Sequence, residues 1–143
     1  MVNRQNTVPH ILNSLRNSAA SVLLLAGLLM TFSVFAEVQV ESVRLAEHEG
    51  NTRIVIDLNE YPQHLVFPLA DPDRVVIDLL DAKFTSKARR FPAGKGSVLK
   101  LRGSNRDDGS ARLVIDMTAS VTANSFVLGP SGQSGYRLVV DLK

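Results

Sequence analysis

Apolar and polar residues alternate with a period of two along most of the chain after residue 36. The pattern is clearest in a six-residue unit, Arg, apolar, Val, apolar, Asp, apolar, which occurs four times. The copies are Arg53–Leu58, Arg74–Leu79, Arg112–Met117 and Arg137–Leu142. Period-two alternation with β-branched residues predicts a β-strand for each copy. We expect the apolar positions, such as Ile54, Ile56 and Leu58, to face a core, and the Arg and Asp positions to face outward.

The four copies fall into two pairs that have the same neighbours. Each pair is preceded by another apolar strand and encloses a segment with a Phe-x-Leu pattern, at Phe67 in one pair and Phe126 in the other. Turn-forming residues separate the predicted strands. The sequence therefore contains two half repeats, at about 38–80 and 98–143, joined by a linker over 81–97.

The spacing of the strands predicts an all-β sandwich of two similar four-stranded sheets that pack face to face. We expect each half repeat to form one sheet as a β-meander, and helix to be scarce because no 3.6-residue periodicity follows residue 36. Pro68 lies inside the third strand and cannot donate a hydrogen bond to a β-ladder. That strand should therefore lie at a sheet edge or contain a bulge.

The first 36 residues differ from the rest of the chain. They hold two cations, no carboxylate and an apolar run over 19–35 that ends beside the small residue Ala36. This arrangement predicts a secretory signal peptide, cleaved between Ala36 and Glu37, and a periplasmic domain over 37–143 without a stable membrane span. An uncleaved anchor is the alternative, because the run approaches the minimum of about 17 residues for a span.

Charge is balanced in the predicted mature domain. Arg4 and Arg16 would leave with the signal peptide, so 14 acidic residues would face an equal number of basic ones, and the pI near 9.2 does not indicate nucleic-acid binding. The segment 83–106 nevertheless holds eight basic residues and no acidic one. Four of its cations are candidate contacts to an anionic polymer: Lys87, Arg89, Arg90 and Lys95.

The sequence holds few residues that could form a catalytic or metal site. Two histidines, His48 and His64, follow residue 36, and the absence of cysteine excludes a thiolate metal site. Glu47-His48-Glu49 favours a solvated turn over a metal site, because consecutive side chains point in different directions and only one is a histidine. We therefore predict that this chain has no catalytic residue, no metal ligand and no cofactor.

The outward Arg and Asp side chains of the repeated unit are the main candidates for binding. Two interpretations stay open: these groups bind a polyanionic, amide-rich polymer through bidentate hydrogen bonds, or they pair with each other across neighbouring strands. The candidates are Arg53, Asp57, Arg74, Asp78, Arg112, Asp116, Arg137 and Asp141.

Several stretches together resemble the AMIN domain family. In the first half they are Ser42–Leu45, Arg53–Leu58, Phe67–Leu69 and Asp71–Leu79, and in the second half Arg112–Met117, Ser125–Leu128 and Arg137–Leu142. The resemblance extends over nearly all of Val38–Lys143. It implies a sandwich of two symmetric four-stranded sheets, found at the amino end of periplasmic N-acetylmuramoyl-L-alanine amidases and in some secretins.

The resemblance also implies a function. It predicts a non-catalytic module that binds peptidoglycan and targets the cell-wall amidase system to the septum, with division or envelope proteins as further candidate partners. The family's amidases carry a separate zinc hydrolase domain after this one, whereas this chain stops at Lys143. The alternatives are therefore an amino-terminal fragment of a truncated amidase, or a domain that docks envelope proteins as in secretins.

Overall fold

A computed structural model of the chain describes residues 37–143, and the predicted signal peptide lies outside the described residues. The described part consists of nine β-strands and the turns between them. The strands are β1 (Val38–His48), β2 (Asn51–Leu58), β3 (His64–Leu69), β4 (Arg74–Leu79), β5 (Ala82–Phe84), β6 (Val98–Asn105), β7 (Ala111–Met117), β8 (Ala123–Leu128) and β9 (Tyr136–Leu142). None of residues 37–143 belongs to a helix that could span a membrane.

The strands form two sheets, which confirms the predicted all-β sandwich. Sheet 1 has five strands in the order β5-β1-β2-β9-β8, and sheet 2 has four in the order β3-β4-β7-β6. The predicted meanders are wrong, because each sheet combines one hairpin from each half repeat. The segments 59–63 and 118–122 carry the chain from one sheet to the other.

The reason for this exchange lies in the four repeated strands. All four copies occupy central positions, with β2 beside β9 and β4 beside β7. In a meander, the copies β4 and β9 would lie at sheet edges. Val76 and Val139 are only 2% and 3% exposed although they lie on the outward side of their strands. Such residues are stabilised by neighbours on both sides, which a central strand has and an edge strand lacks.

The core lies between the two sheets. Ile54, Ile56 and Leu58 are fully buried, as predicted, and they meet Leu113 and Ile115 of sheet 2 in one apolar cluster. Since the chain has no cysteine, apolar burial is the main source of its stability. The edge position predicted from Pro68 is also confirmed, because β3 is the outermost strand of sheet 2.

The linker over 81–97 contributes the fifth strand of sheet 1. Its β5 pairs in parallel with β1, and Phe84 enters the core. Phe91 then packs edge-on against Phe84, with ring centroids 5.7 Å apart. A side chain at Gly103 would begin 2.3 Å from the Phe91 ring, so any other residue at this point of β6 would push that ring aside. The linker thus covers the β6 edge of the sandwich.

An approximate twofold relation connects the two sheets. Strands β1 to β4 correspond to β6 to β9, so the order β1-β2-β9-β8 in sheet 1 matches β6-β7-β4-β3 in sheet 2. The outward sides of the two sheets therefore present equivalent positions of the half repeats. Any binding surface on one sheet has a counterpart on the other.

Candidate ligand-binding faces

The outward side of sheet 1 gathers the Arg and Asp residues of β2 and β9. The register places Arg53 opposite Asp141 and Asp57 opposite Arg137. Paired residues in an antiparallel sheet point to the same side, so neighbouring strands add to this surface. We call it outer face 1, and it comprises Arg44, Arg53, Val55, Asp57, Phe126, Leu128, Arg137, Val139 and Asp141.

The outward side of sheet 2 repeats this arrangement. Arg74 lies opposite Asp116, and Asp78 lies opposite Arg112. We call this surface outer face 2, and it comprises Phe67, Leu69, Arg74, Val76, Asp78, Lys100, Arg102, Arg112, Val114 and Asp116. The eight predicted Arg and Asp candidates thus form two equivalent sets of four on opposite sides of the sandwich.

Two of the repeated arginines form bidentate ion pairs across the central strands. Arg53 Nε and Nη2 donate to the Asp141 carboxylate at 2.6 and 2.8 Å. Arg112 donates in the same way to Asp78, at 2.6 and 2.7 Å. Cross-strand pairing is therefore one role of these four residues, and ligand contact by them stays a prediction.

The other two repeated aspartates pair with arginines from flanking strands. Arg44 of β1 donates two hydrogen bonds to Asp57, at 3.0 and 2.8 Å, and Ser42 donates a further one. Arg102 of β6 donates to Asp116 at 2.9 and 2.7 Å. Asp57 and Asp116 therefore accept hydrogen bonds from the flanking arginines and not from Arg137 and Arg74, which lie directly opposite them.

The flanking arginines also fix the charge of both aspartates. Burial raises the pKa of Asp57, but the hydrogen bonds from Arg44 and Ser42, with the positive charges of Arg44 and Arg137, hold it below its ordinary value. The hydrogen bond from Arg102 is the largest cause that lowers the pKa of Asp116. Both carboxylates are therefore ionised at neutral pH.

Arg74 and Arg137 are left without a carboxylate partner within residues 37–143. Arg74 Nε donates to the backbone carbonyl of Pro72 at 3.1 Å, in the turn before β4. The equivalent Arg137 Nε is buried and has no hydrogen-bond partner in the described part of the chain. Each outer face therefore has one arginine that interacts with an aspartate only through its charge and donates no hydrogen bond to one.

Apolar side chains lie beside these arginines on the edge strands. Leu128 is opposite Arg137 and is 39% exposed, while Leu69 is opposite Arg74 and is 40% exposed. Phe126 is 41% exposed, and the Arg53 guanidinium lies 5.8 Å from the centroid of its ring. Each outer face thus offers an exposed apolar strip next to cationic groups.

The basic candidates of the linker lie apart from the two outer faces. Lys87, Arg89 and Arg90 are exposed around the buried Ala88, in a turn closed by a hydrogen bond from Arg90 N to Lys87 O at 3.2 Å. Lys95 lies farther along the linker, with its Nζ 3.7 Å from the Glu47 carboxylate. The structure therefore groups three of the four linker cations, and the fourth is already paired.

Other chemistry in the described residues is sparse. Between residues 37 and 143 there is no cluster of three or more side chains able to hold a metal ion. His64 lies on the edge strand β3, with its Nε2 3.3 Å from Ser125 Oγ of β8. A cleft of about 430 Å³ opens at one end of the sandwich, lined by residues that include Glu47, Thr52 and Ser97. This cleft is a further surface for comparison with the outer faces.

Arg44 and Arg102 were absent from the predicted site residues. Their hydrogen-bonded aspartates lie 13 and 14 positions later in the chain, so the two halves carry the same pairing. Aligning the half repeats beyond the six-residue unit exposes this spacing. Without the register of β1 and β6, however, no sequence signal shows that these arginines displace Arg137 and Arg74 as partners.

Comparison with known proteins identifies the family of the domain. A family model described as the AMIN domain matches residues 42–142. The chain is 29% identical over 114 residues to the N-acetylmuramoyl-L-alanine amidase AmiC of Escherichia coli O6:H1, covering 77% of this chain and 27% of that enzyme. It is 26% identical over 129 residues to AmiC of Neisseria meningitidis serogroup B, covering 82% of this chain and 31% of that relative. On the match over residues 42–142, the chain belongs to the AMIN domain family.

Proposed function

We propose that residues 37–143 form a periplasmic domain that binds peptidoglycan and holds the cell-wall amidase system at the division septum. The domain is not catalytic by itself. The observation that carries the proposal is the pair of equivalent outer faces, each with arginines beside exposed apolar side chains. Arginine is suited to carboxylates, and the apolar strip is suited to the methyl groups of peptide and acetyl substituents.

Membership of the AMIN domain family supports the same assignment. The two relatives are named N-acetylmuramoyl-L-alanine amidases, and the N-acetylmuramoyl-L-alanine unit of that name belongs to the wall polymer. The chain spans less than a third of the length of either relative. We therefore propose a second role for the same domain, as the wall-binding part of an amidase whose catalysis resides elsewhere.

Docking of another envelope protein is the competing proposal. The exposed Phe126, Leu69 and Leu128 favour it, because apolar residues on a sheet surface are also typical of protein contacts. The proposals differ in the partner that retains the domain. Peptidoglycan binding requires no second protein, so purified components distinguish them.

Sedimentation with purified sacculi tests the proposed function. Protein comprising residues 37–143 should pellet with sacculi and stay in solution without them. Changing Lys87, Arg89, Arg90 and Lys95 together to Glu should weaken pelleting at low ionic strength and much less at physiological salt, because exposed charges are screened beyond about 8 Å there. The measurement is the bound fraction at each salt concentration.

A matched variant with Gln at the same four positions separates lost attraction from new repulsion. The Gln variant should fall between the parent and the Glu variant at low salt. If the parent itself stays in the supernatant at every salt concentration, the domain does not bind the wall polymer, and protein docking becomes the better proposal.

A further inference from the structure

Each outer face carries one more arginine than its aspartates engage. On outer face 1, Arg44 and Arg53 hold the two aspartates, and Arg137 is the third arginine. On outer face 2, Arg102 and Arg112 hold the two aspartates, and Arg74 is the third. The third arginine therefore lies on β9 in outer face 1 and on the equivalent strand β4 in outer face 2.

We propose that Arg137 and Arg74 are carboxylate-binding residues, one on each outer face, for acidic peptide chains of the wall polymer. This inference rests on the proposed function and deepens it by naming the bound group and its two sites. The other repeated arginines, Arg53 and Arg112, organise the faces through their bidentate pairs and do not receive the ligand carboxylate.

The surroundings of Arg137 fit a carboxylate. Its Nε is buried and has no acceptor within residues 37–143, and such orphaned donors are rare in folded proteins because desolvating them is costly. The aspartate opposite, Asp57, is held by Arg44 and Ser42. A ligand carboxylate can accept two hydrogen bonds from the Nη groups of Arg137, since the buried Nε is closed to it.

A neighbouring apolar side chain adds selectivity to each site. Leu128 lies opposite Arg137 and Leu69 lies opposite Arg74, and both are well exposed. A ligand that places a methyl group next to a carboxylate, as an alanine-terminated peptide does, can contact both parts of the site. The combination favours an acidic peptide over a sulfate-like or phosphate-like group.

The two sites differ in one respect that makes them distinguishable. Arg74 Nε already donates to Pro72 O, so the carboxylate there can bind only through the Nη groups. Arg137 Nε has no such acceptor, but it is buried, so a carboxylate reaches only the Nη groups there as well. The two sites should therefore contribute to a similar extent, and the arginine Nε–Hε signals distinguish them.

The test uses two kinds of sacculi with single and double variants of residues 37–143. In one preparation the carboxylates are converted to methylamides with carbodiimide and methylamine, and the other is untreated. Arg137→Gln and Arg74→Gln should each weaken binding to untreated sacculi. The double variant should weaken it about tenfold or more, as expected for the loss of charge-assisted hydrogen bonds. Methylamidation should weaken binding of the parent by a similar factor and add little to the double variant.

Arg106→Gln is the matched control, since it removes the same charge at an exposed position outside both outer faces, where Arg106 lies near Asp108. It should bind like the parent. Thermal unfolding shows whether the Arg74 and Arg137 variants are folded, and if a Gln variant fails to fold, Arg→Lys at the same position provides the second test. Binding of the parent to both preparations alike, or parent-like binding by the folded double variant, overturns the inference while the proposed function stands. A parent that binds neither preparation contradicts the proposed function instead.

Discussion

Replacing Leu113 by alanine should lower the free energy of unfolding of residues 37–143 by about 2–5 kcal/mol. Leu113 lies on the central strand β7 and is fully buried in the apolar cluster that joins the two sheets. Truncation removes buried methyl groups and leaves a cavity that rigid sheets on both sides cannot fill. Urea denaturation followed by far-ultraviolet circular dichroism measures the change.

Leu99→Ala is the matched control for this substitution. Leu99 lies on β6 beside β7 but is 59% exposed, so the same truncation should change the free energy of unfolding by less than about 0.5 kcal/mol. Equal losses at the two positions would mean that the sandwich does not pack around Leu113 as described.

Gly135→Ala should be the second strongly destabilising change, by about 1–3 kcal/mol. A Cβ at Gly135 would lie 2.3 Å from the backbone oxygen of Leu58, at the point where β9 begins beside the end of β2. A backbone atom of a central strand cannot move aside as a flexible side chain can. Since Arg137 follows two residues later, the substitution should also disturb the start of outer face 1.

The control is Gly129→Ala in the same connection between β8 and β9. No atom lies within 4 Å of a Cβ built there, so this change should leave stability within about 0.5 kcal/mol of the parent. Thermal unfolding of both variants provides the measurement. A Gly135→Ala protein as stable as the Gly129→Ala protein would show that the approach of Gly135 to Leu58 is not a constraint of the fold.

The sequence predicts the strands and the core of this domain well, for a physical reason. Alternation assigns Ile54, Ile56 and Leu58 to the buried side because each repeated unit is long enough to show its period. Pro68 similarly predicts an edge strand through its missing N–H. These features depend on residues within one strand, so local sequence is sufficient.

Sheet order is a different matter, because it depends on partners that are distant in sequence. Alternation is the same whether β2 pairs with β3, as in a meander, or with β9, as observed. Val76 and Val139 are buried on the outward sides because their strands are central in the sheets. Their burial becomes known only when the strands are placed, so it does not help to predict the sheet order from the sequence. The sequence does not predict the strand β5 within the linker, because three residues are too few to show a period-two alternation.

The sequence predicts which residues form the candidate site, but it predicts only part of what each residue does. All eight Arg and Asp residues of the repeated unit lie on the outer faces, as alternation requires. Their pairing depends on cross-strand register, which decides that Arg53 holds Asp141 while Arg44, from a flanking strand, holds Asp57. The distinction between engaged and unengaged arginines therefore becomes visible only in the folded domain.

The central claim is that the outer faces bind the wall polymer, and nuclear magnetic resonance tests it most directly. Isotope-labelled protein of residues 37–143 is titrated with soluble muropeptides from digested sacculi, and the arginine Nε–Hε and backbone amide signals are followed. We expect saturable shifts at Arg137 and Arg74 and along β8 and β3, with smaller shifts elsewhere. Shifts confined to the cleft around Glu47, Thr52 and Ser97, or no saturable shift at all, would contradict the account.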